Sequence, residues 1–310
     1  MPCFCFVSVR KVCYTLGMNL RTVQVKASAK INLSLNITGV CGNLHAVDMI
    51  TASIDMADVI TVRERFDGKV TVRYSVSDIA VGSDSVTRAV EALQTRFGVF
   101  GADIYVEKNI PLCAGLGGSA ADGAAAIRIF DYMYGFFKTE ADRSAVAVNV
   151  GSDVPYLLRG GFCRVRGTGE ETDFFTAPAE FCMVVAQGPG GVLSKAGYRV
   201  FDELYEGKCF CPSDNDKLID ALIQNDKTVA YRYMDNALLK PSLSLNFGIS
   251  ETLALLKAAG AKKVLMTGSG SACVGFFTDM DEAEASAESL RRRGFYAKAG
   301  CSVLDGIKFI

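Results

Sequence analysis

Apolar and polar positions alternate along residues 21–38, where Val23, Val25, Ala27, Ala29, Ile31, Leu33, Leu35 and Ile37 each stand beside a polar neighbour. A period of two over that length predicts a long, half-buried strand. The strand signal continues at residues 50–65 and 69–76, and the Asp67-Gly68 dipeptide between them predicts a hairpin turn. The period then lengthens. Val86, Ala89, Val90, Leu93 and Phe97 recur every third or fourth position, the pattern of an amphipathic helix opened by Ser83 or Ser85.

Residues 103–108 read as a strand, and a turn at Pro111 leads through a glycine-rich run into an alanine-rich helix at 120–130. Its small side chains and high helix propensity predict close, buried packing. A helix at 139–150 and an apolar segment at 154–166, passing Gly160-Gly161 into a strand, follow. The polar stretch 170–180 with Pro178 marks a boundary. Beyond it, strands are expected at 181–187, 263–267, 272–277 and 295–303, with helices at 196–204, 217–224, 251–259 and 282–293. This mixture defines an α+β class, and 310 residues suit two domains, 22–177 and 178–310, after an N-terminal extension at 1–21.

Within that extension Arg10 and Lys11 interrupt the apolar residues, which are too few to span a bilayer and stand in the wrong order for a secretory signal. Met18 lies just before the strand pattern and is a candidate true start. A cytoplasmic protein is expected. The 33 basic and 34 acidic residues leave a net charge of -1, which gives no general attraction to nucleic acid or an acidic membrane. Any anion must be held locally. Although there are 11 cysteines, none forms a CxxC pair, and a lone His45 supplies zinc-type ligand sets poorly. Free thiols of a reducing compartment fit better.

The run Pro111-Leu112-Cys113-Ala114-Gly115-Leu116-Gly117-Gly118-Ser119-Ala120-Ala121 carries the strongest chemical signal. Glycines before a helix let backbone N–H groups wrap a phosphate, and the helix N-terminus adds positive partial charge. An ordinary glycine-rich turn before a buried helix has the same appearance. The Walker pattern fails, because no Gly-Lys-[Ser/Thr] follows the spacing. The dinucleotide pattern G-x-G-x-x-A is matched formally by residues 115–120, with Glu140 as a ribose-binding acid, but in mid-chain. Taken alone, Lys30 reads as a strand lysine reaching solvent, Lys108 as a strand-end lysine, and Asp153 as a helix N-cap. Beside a phosphate loop, Lys30 and Asp153 become a cation and an acid suited to a phosphoryl group and a hydroxyl.

The loop is similar to that of the GHMP kinases, and three distant segments carry the same resemblance: SAKINLSLNITG at 28–39, NVGSDVPYLLRGG at 149–161 and MTGSGSACVGFF at 266–277. It covers residues 22–303. Within the superfamily these segments and GPGGVLSKAGYRVFD at 188–202 most resemble the cytidyl-substrate kinases of the non-mevalonate isoprenoid pathway. The resemblance implies a two-domain GHMP kinase fold, ribosomal protein S5 domain 2-like in its first domain and ferredoxin-like in its second. It implies ATP with Mg2+ as phosphoryl donor, bound by Lys108, Pro111 and the loop from Gly115 to Ala121. The implied acceptor is the 2-hydroxyl of a cytidine diphosphate-linked methylerythritol, with Asp153 as base, Lys30 orienting and offsetting charge, and Asn32, His45, Gly268, Ser269 and Gly270 at the substrate. A small-molecule substrate and a monomer or weak homodimer are expected, without nucleic acid or membrane. The chain departs from the family at Leu44, where a tyrosine is usual, at Ala120-Ala121, where serines are usual, and at Asp84, where many relatives have Asn. Another GHMP kinase acting on homoserine or a mevalonate-pathway alcohol, and a non-catalytic binding module on the same fold, remain open alternatives.

Overall fold

The computed structural model describes residues 20–98, 101–206 and 208–310; Met18 and all but the last two residues of the expected extension lie outside them. Strands β1 (Thr22–Cys41) and β2 (Leu44–Arg65) form a long antiparallel hairpin closed at Gly42, whose φ of 62° suits glycine. The alternation in β1 conceals three register shifts against β2, at Ser28/Ala29, Asn32/Ser34 and Ile37/Gly39. The unpaired residues are Asp55 and Met56 of β2 at the first shift and Leu33 and Thr38 of β1 at the other two, and the buried face of β1 changes across the first two. Val25 and Ala27 accordingly enter one hydrophobic core together with Leu35 and Ile37, whereas Ala29, Ile31 and Leu33 between the bulges enter the other. Both faces of this segment are covered. Lys30 and Asn32 are therefore buried, at 5% and 1% exposure, and Lys30 is no solvent-reaching lysine.

The hairpin expected after β2 is not formed. β3 (Val70–Tyr74) pairs in parallel with β4 (Gly101–Glu107), and β4 lies antiparallel to β2. Ala102, Ile104 and Val106 are buried to 2% exposure or less, so β4 takes the interior place while half-buried β3 takes the edge. Helix α1 (Ser85–Phe97) is capped by Asp84, whose carboxylate accepts from Thr87 N at 2.9 Å, rather than by either serine. Helices α2 (Gly118–Tyr134) and α3 (Glu140–Val150) pack on it, α4 (Val154–Leu157) packs on those two, and the hairpin β5 (Phe162–Gly167) and β6 (Glu171–Phe175) follows. Strand β6 runs through part of the polar stretch 170–180 expected to be a boundary.

The second half contains β7 (Cys182–Gln187), α5 (Ser194–Tyr205), α6 (Asn215–Ile223), α7 (Lys227–Tyr233), α8 (Leu239–Leu245), α9 (Gly248–Ala258), β8 (Lys263–Met266), β9 (Cys273–Phe277), α10 (Met280–Arg292), β10 (Tyr296–Val303) and β11 (Ile307–Phe309). The fold is the two-domain α+β architecture expected, with the strands joined in one sheet of order β11-β1-β2-β10-β7-β9-β8. Ser302 and Val303 of β10 pair with Ile54 and Ser53 of β2, so backbone hydrogen bonding runs from one half to the other. β11 then returns to β1. Among the described residues no helix is long and apolar enough to cross a membrane.

Candidate active site

The N-cap position of helix α2 is Gly117, which sits at φ 72° and offers no side-chain cap. Its first-turn amides, which have no intrahelical partner, open on a cavity of about 690 Å³. The glycines set the approach distances. A Cβ at Gly117 would meet Lys30 Cγ at 2.9 Å, and one at Gly118 would stand 3.4 Å from Lys108 Nζ. Two lysines thus lie against the loop, and the helix N-terminus there adds the positive partial charge that suits an anion.

The second glycine turn supports the first. A Cβ on Gly115 would fall 2.4 Å from Thr267 O, one on Gly268 would fall 2.8 Å from Gly115 O, and Ala272 N donates to Ala114 O at 3.1 Å. Gly268 and Ser269 line the cavity with Pro111, Gly115, Leu116, Gly117, Gly118, Ser119 and Ala120. Gly270 instead faces Met266 and Ile249. Ala121 is not brought to the cavity either, since its methyl is in the core at 1% exposure and its amide donates to Gly117 O at 2.9 Å.

Lys30, Asn32 and Asp153 converge at one side of the loop. Lys30 N donates to Leu116 O at 2.9 Å, which fixes the strand to the loop, and Lys30 Nζ donates to Asn32 Oδ1 at 2.6 Å. Asn32 lies behind Lys30, its amide nitrogen 3.2 Å from Thr51 Oγ1 and its backbone N donating to Thr267 Oγ1 at 3.0 Å. Asp153 Oδ2 is 3.8 Å from Lys30 Nζ, and the Asp153 side chain remains 32% exposed. It precedes α4 but makes no capping bond, so the reading of Asp153 as a plain N-cap does not hold.

Lys108 is equally unlike a surface lysine. It is buried between Asp58 and Asp122, and these two charges, acting against the cost of burial, hold its ammonium above the ordinary lysine range. His45 lies apart from this cavity, near the turn of the long hairpin. Its Nε2 is 2.7 Å from Asp202 Oδ1, and its ring stacks on Tyr198 at 4.6 Å between centroids. Lost hydration first, and then the charge of Asp153, push the half-buried Tyr198 phenol up to about 12. Asp58, Asp122, Tyr198 and Asp202 were not singled out from the sequence. Asp58 carried a usable signal, a charge inside the apolar strand MADVI, the same signal that marks Lys30.

Two family models match the chain, the GHMP kinases N terminal domain at residues 84–161 and the GHMP kinases C terminal at residues 218–296. Together with the arrangement of loop, lysines and acid, they define a GHMP kinase, and the chain belongs to that superfamily. Within it, the chain falls in the 4-diphosphocytidyl-2-C-methyl-D-erythritol kinase family. It is 32% identical to the 4-diphosphocytidyl-2-C-methyl-D-erythritol kinase of Pelotomaculum thermopropionicum, over 87% of this chain and 94% of that protein. It is 30% identical to the enzyme of the same name from Brevibacillus brevis, over 80% of this chain and 85% of that protein. A crystal structure of 4-(cytidine 5'-diphospho)-2C-methyl-D-erythritol kinase superposes with a TM-score of 0.73 at 28% identity, covering 90% of this chain and 98% of that one.

Proposed function

We propose that this protein transfers the γ-phosphoryl group of ATP to the 2-hydroxyl of 4-diphosphocytidyl-2-C-methyl-D-erythritol. The observation that carries this reading is the pair Lys30 Nζ and Asp153 Oδ2, 3.8 Å apart beside the uncapped start of α2. As the acceptor oxygen bonds to phosphorus and ADP departs, the hydroxyl proton passes to Asp153. Lys30, steered by Asn32, offsets charge at the transferring group. In this reading residues 22–177 carry the nucleotide site and 178–310 close it through the Gly268-Ser269 turn.

The loop fits ATP, because the glycines leave backbone amides accessible where any Cβ would collide. Among the described residues no group of three His, Cys, Asp or Glu side chains could hold a metal ion. Mg2+ is commonly held by substrate phosphates and one or two protein oxygens, and here the Ser119 hydroxyl at the loop would supply one. When bound, the ion would neutralise phosphate charge. His45 would contact the cytosine, with Tyr198 rather than Leu44 supplying an aromatic face.

A coupled ADP-release assay over a panel of alcohols tests the assignment. Turnover is expected with the cytidyl substrate. Turnover with homoserine or mevalonate and none with the cytidyl alcohol would move the protein to another branch of the superfamily, and nucleotide binding without any ADP release would make it a binding module.

A further inference from the structure

Away from the nucleotide cavity, two thiols face each other across neighbouring strands. Among the described residues, Cys182 of β7 and Cys301 of β10 are the two cysteines that stand directly opposite in the sheet register. The hydrogen bonds around them decide which kind of pair they form. Ser302 N donates to Phe181 O at 3.1 Å, so the adjoining pair Phe181–Ser302 occupies a hydrogen-bonded position of the ladder. Cys301 N points away from β7 and donates to Asp55 Oδ1 of β2 at 3.0 Å. Cys182 and Cys301 therefore form a non-hydrogen-bonded pair, the closer of the two antiparallel kinds, with Cα atoms about 4.5 Å apart. That separation lies within the span of about 4.4–6.8 Å that a disulfide bridges.

Directly opposite residues of antiparallel strands share a face. Here it is the face that α10 covers, where Val184 and Ala186 of β7 and Ala297 of β10 join Ala283 and Ala287 of α10 in one core. At its open end both thiols are only partly buried, and Cys301 Sγ is 3.4 Å from Sδ of Met280, the first residue of α10. Other cysteines are placed differently. Cys163 and Cys273 are buried, while Cys209 and Cys211 donate to Thr38 O and Ile37 O.

We infer that Cys182 and Cys301 are a redox pair that closes into a disulfide when the protein meets a low-molecular-weight disulfide such as oxidised glutathione. One cysteine, as thiolate, attacks a sulfur of the small disulfide, forming a mixed disulfide and expelling one small thiolate. The other cysteine loses its proton, attacks the protein-side sulfur and expels the second small thiolate. Both protein protons end on the released thiols, and the two electrons lost by the protein reduce the small disulfide. The link ties β7 to β10 just where Ser302 and Val303 pass over to β2, and so braces the junction of the two halves. Burial first, then Cys182 and Asp55, with Glu180 adding to them, raise the Cys301 thiol, so closure is slow at neutral pH and quickens as pH rises.

Incubation of the full chain with oxidised glutathione, followed by peptide mapping without reductant, tests this. A peptide linked through Cys182 and Cys301 is expected, forming faster at mildly alkaline than at neutral pH. Cys182→Ser and Cys301→Ser should each retain glutathione on the remaining cysteine, because the thiol that would release it is gone. Oxidised wild type should melt several degrees above the reduced protein, a rise that neither serine variant shows. The mapping itself needs no variant to fold. Glutathione persisting on both cysteines of wild type without a link, both thiols remaining free, or a link from either one to a different cysteine overturns the proposal. Neither cysteine lines the nucleotide cavity, so each of these results leaves the kinase reading untouched.

Discussion

At Asp153 the carboxylate is near a buried cation, uncommitted to any cap and partly open to the cleft. Asp153→Asn preserves the shape and removes the proton acceptor, so ATP should still bind while turnover falls about 10²–10⁴-fold. Lys30→Met should also depress turnover, and because both side chains serve one transfer step the double variant should lose less than the product of the two. Steady-state rates beside calorimetric ATP affinities check this, and a folded Asp153→Asn protein with wild-type turnover removes Asp153 from the mechanism. Gly117→Val confronts two obstacles, a φ of 72° and a Cβ only 2.9 Å from Lys30 Cγ. ATP affinity should drop at least tenfold, about 1.4 kcal/mol, measured by titration. Taken alone, Lys30 and Asp153 read as an ordinary strand lysine and a helix cap, and only the neighbouring phosphate loop and the family resemblance singled them out in the sequence. The burial of Lys108 was not legible there, because its partners Asp58 and Asp122 lie 50 and 14 positions away and only folding brings them to it.

At the scale of elements, alternation announced β1 but not the bulges that turn Lys30 toward the loop, since a bulge leaves the sequence period intact while exchanging the faces. The partner of β3 was equally hidden, because the Asp67-Gly68 turn is local and the preference of β2 for the more apolar β4 is not. The alanine-rich α2 was plain from propensity, and its contacts now give its tolerance. A Cβ on Gly123 would stand 3.0 Å from Ser85 Cβ and 3.1 Å from Val150 Cγ1, so α1 and α3 both crowd this position. Gly123→Leu should overpack the junction and cost about 1–3 kcal/mol, seen as a lower midpoint in urea. A second test concerns Glu64 on β2, which accepts from Arg21 at 2.7 Å and from Tyr134 of α2 at 3.0 Å. The Arg21 hydrogen bond, chief among these influences, holds the Glu64 carboxyl below its ordinary value of 4.5. A depressed acid stabilises the fold above its unfolded value and loses that contribution as pH falls through the folded one. Glu64→Gln should therefore be less stable than wild type at neutral pH, and the difference should shrink in thermal melts taken progressively below pH 4.5.

At the scale of the molecule, the two halves share hydrogen bonds that tie the end of the chain to its beginning. Gly306 N donates to Arg159 O at 2.7 Å, Ser28 N donates to Gly306 O at 2.7 Å, and β11 follows on β1. Most strands and helices of the second half were readable from local periods, but the seven-residue helices α7 and α8 were not, and a three-residue strand such as β11 carries no period, its partner lying at the other end of the sequence. The closure depends on Gly306 having no side chain. A Cβ there would stand 2.5 Å from Leu157 O and 3.0 Å from Gly160 N, both backbone atoms that cannot rotate away. Gly306→Ala should consequently destabilise the protein by about 2–4 kcal/mol, lowering the melting midpoint by several degrees. Because the continuous sheet couples the halves through β10 and β2, far-ultraviolet circular dichroism and tyrosine fluorescence should both shift, and in step, within one transition. Two separated transitions in the variant, with only one displaced, would show that the halves unfold independently and that the shared strands do not transmit stability between them.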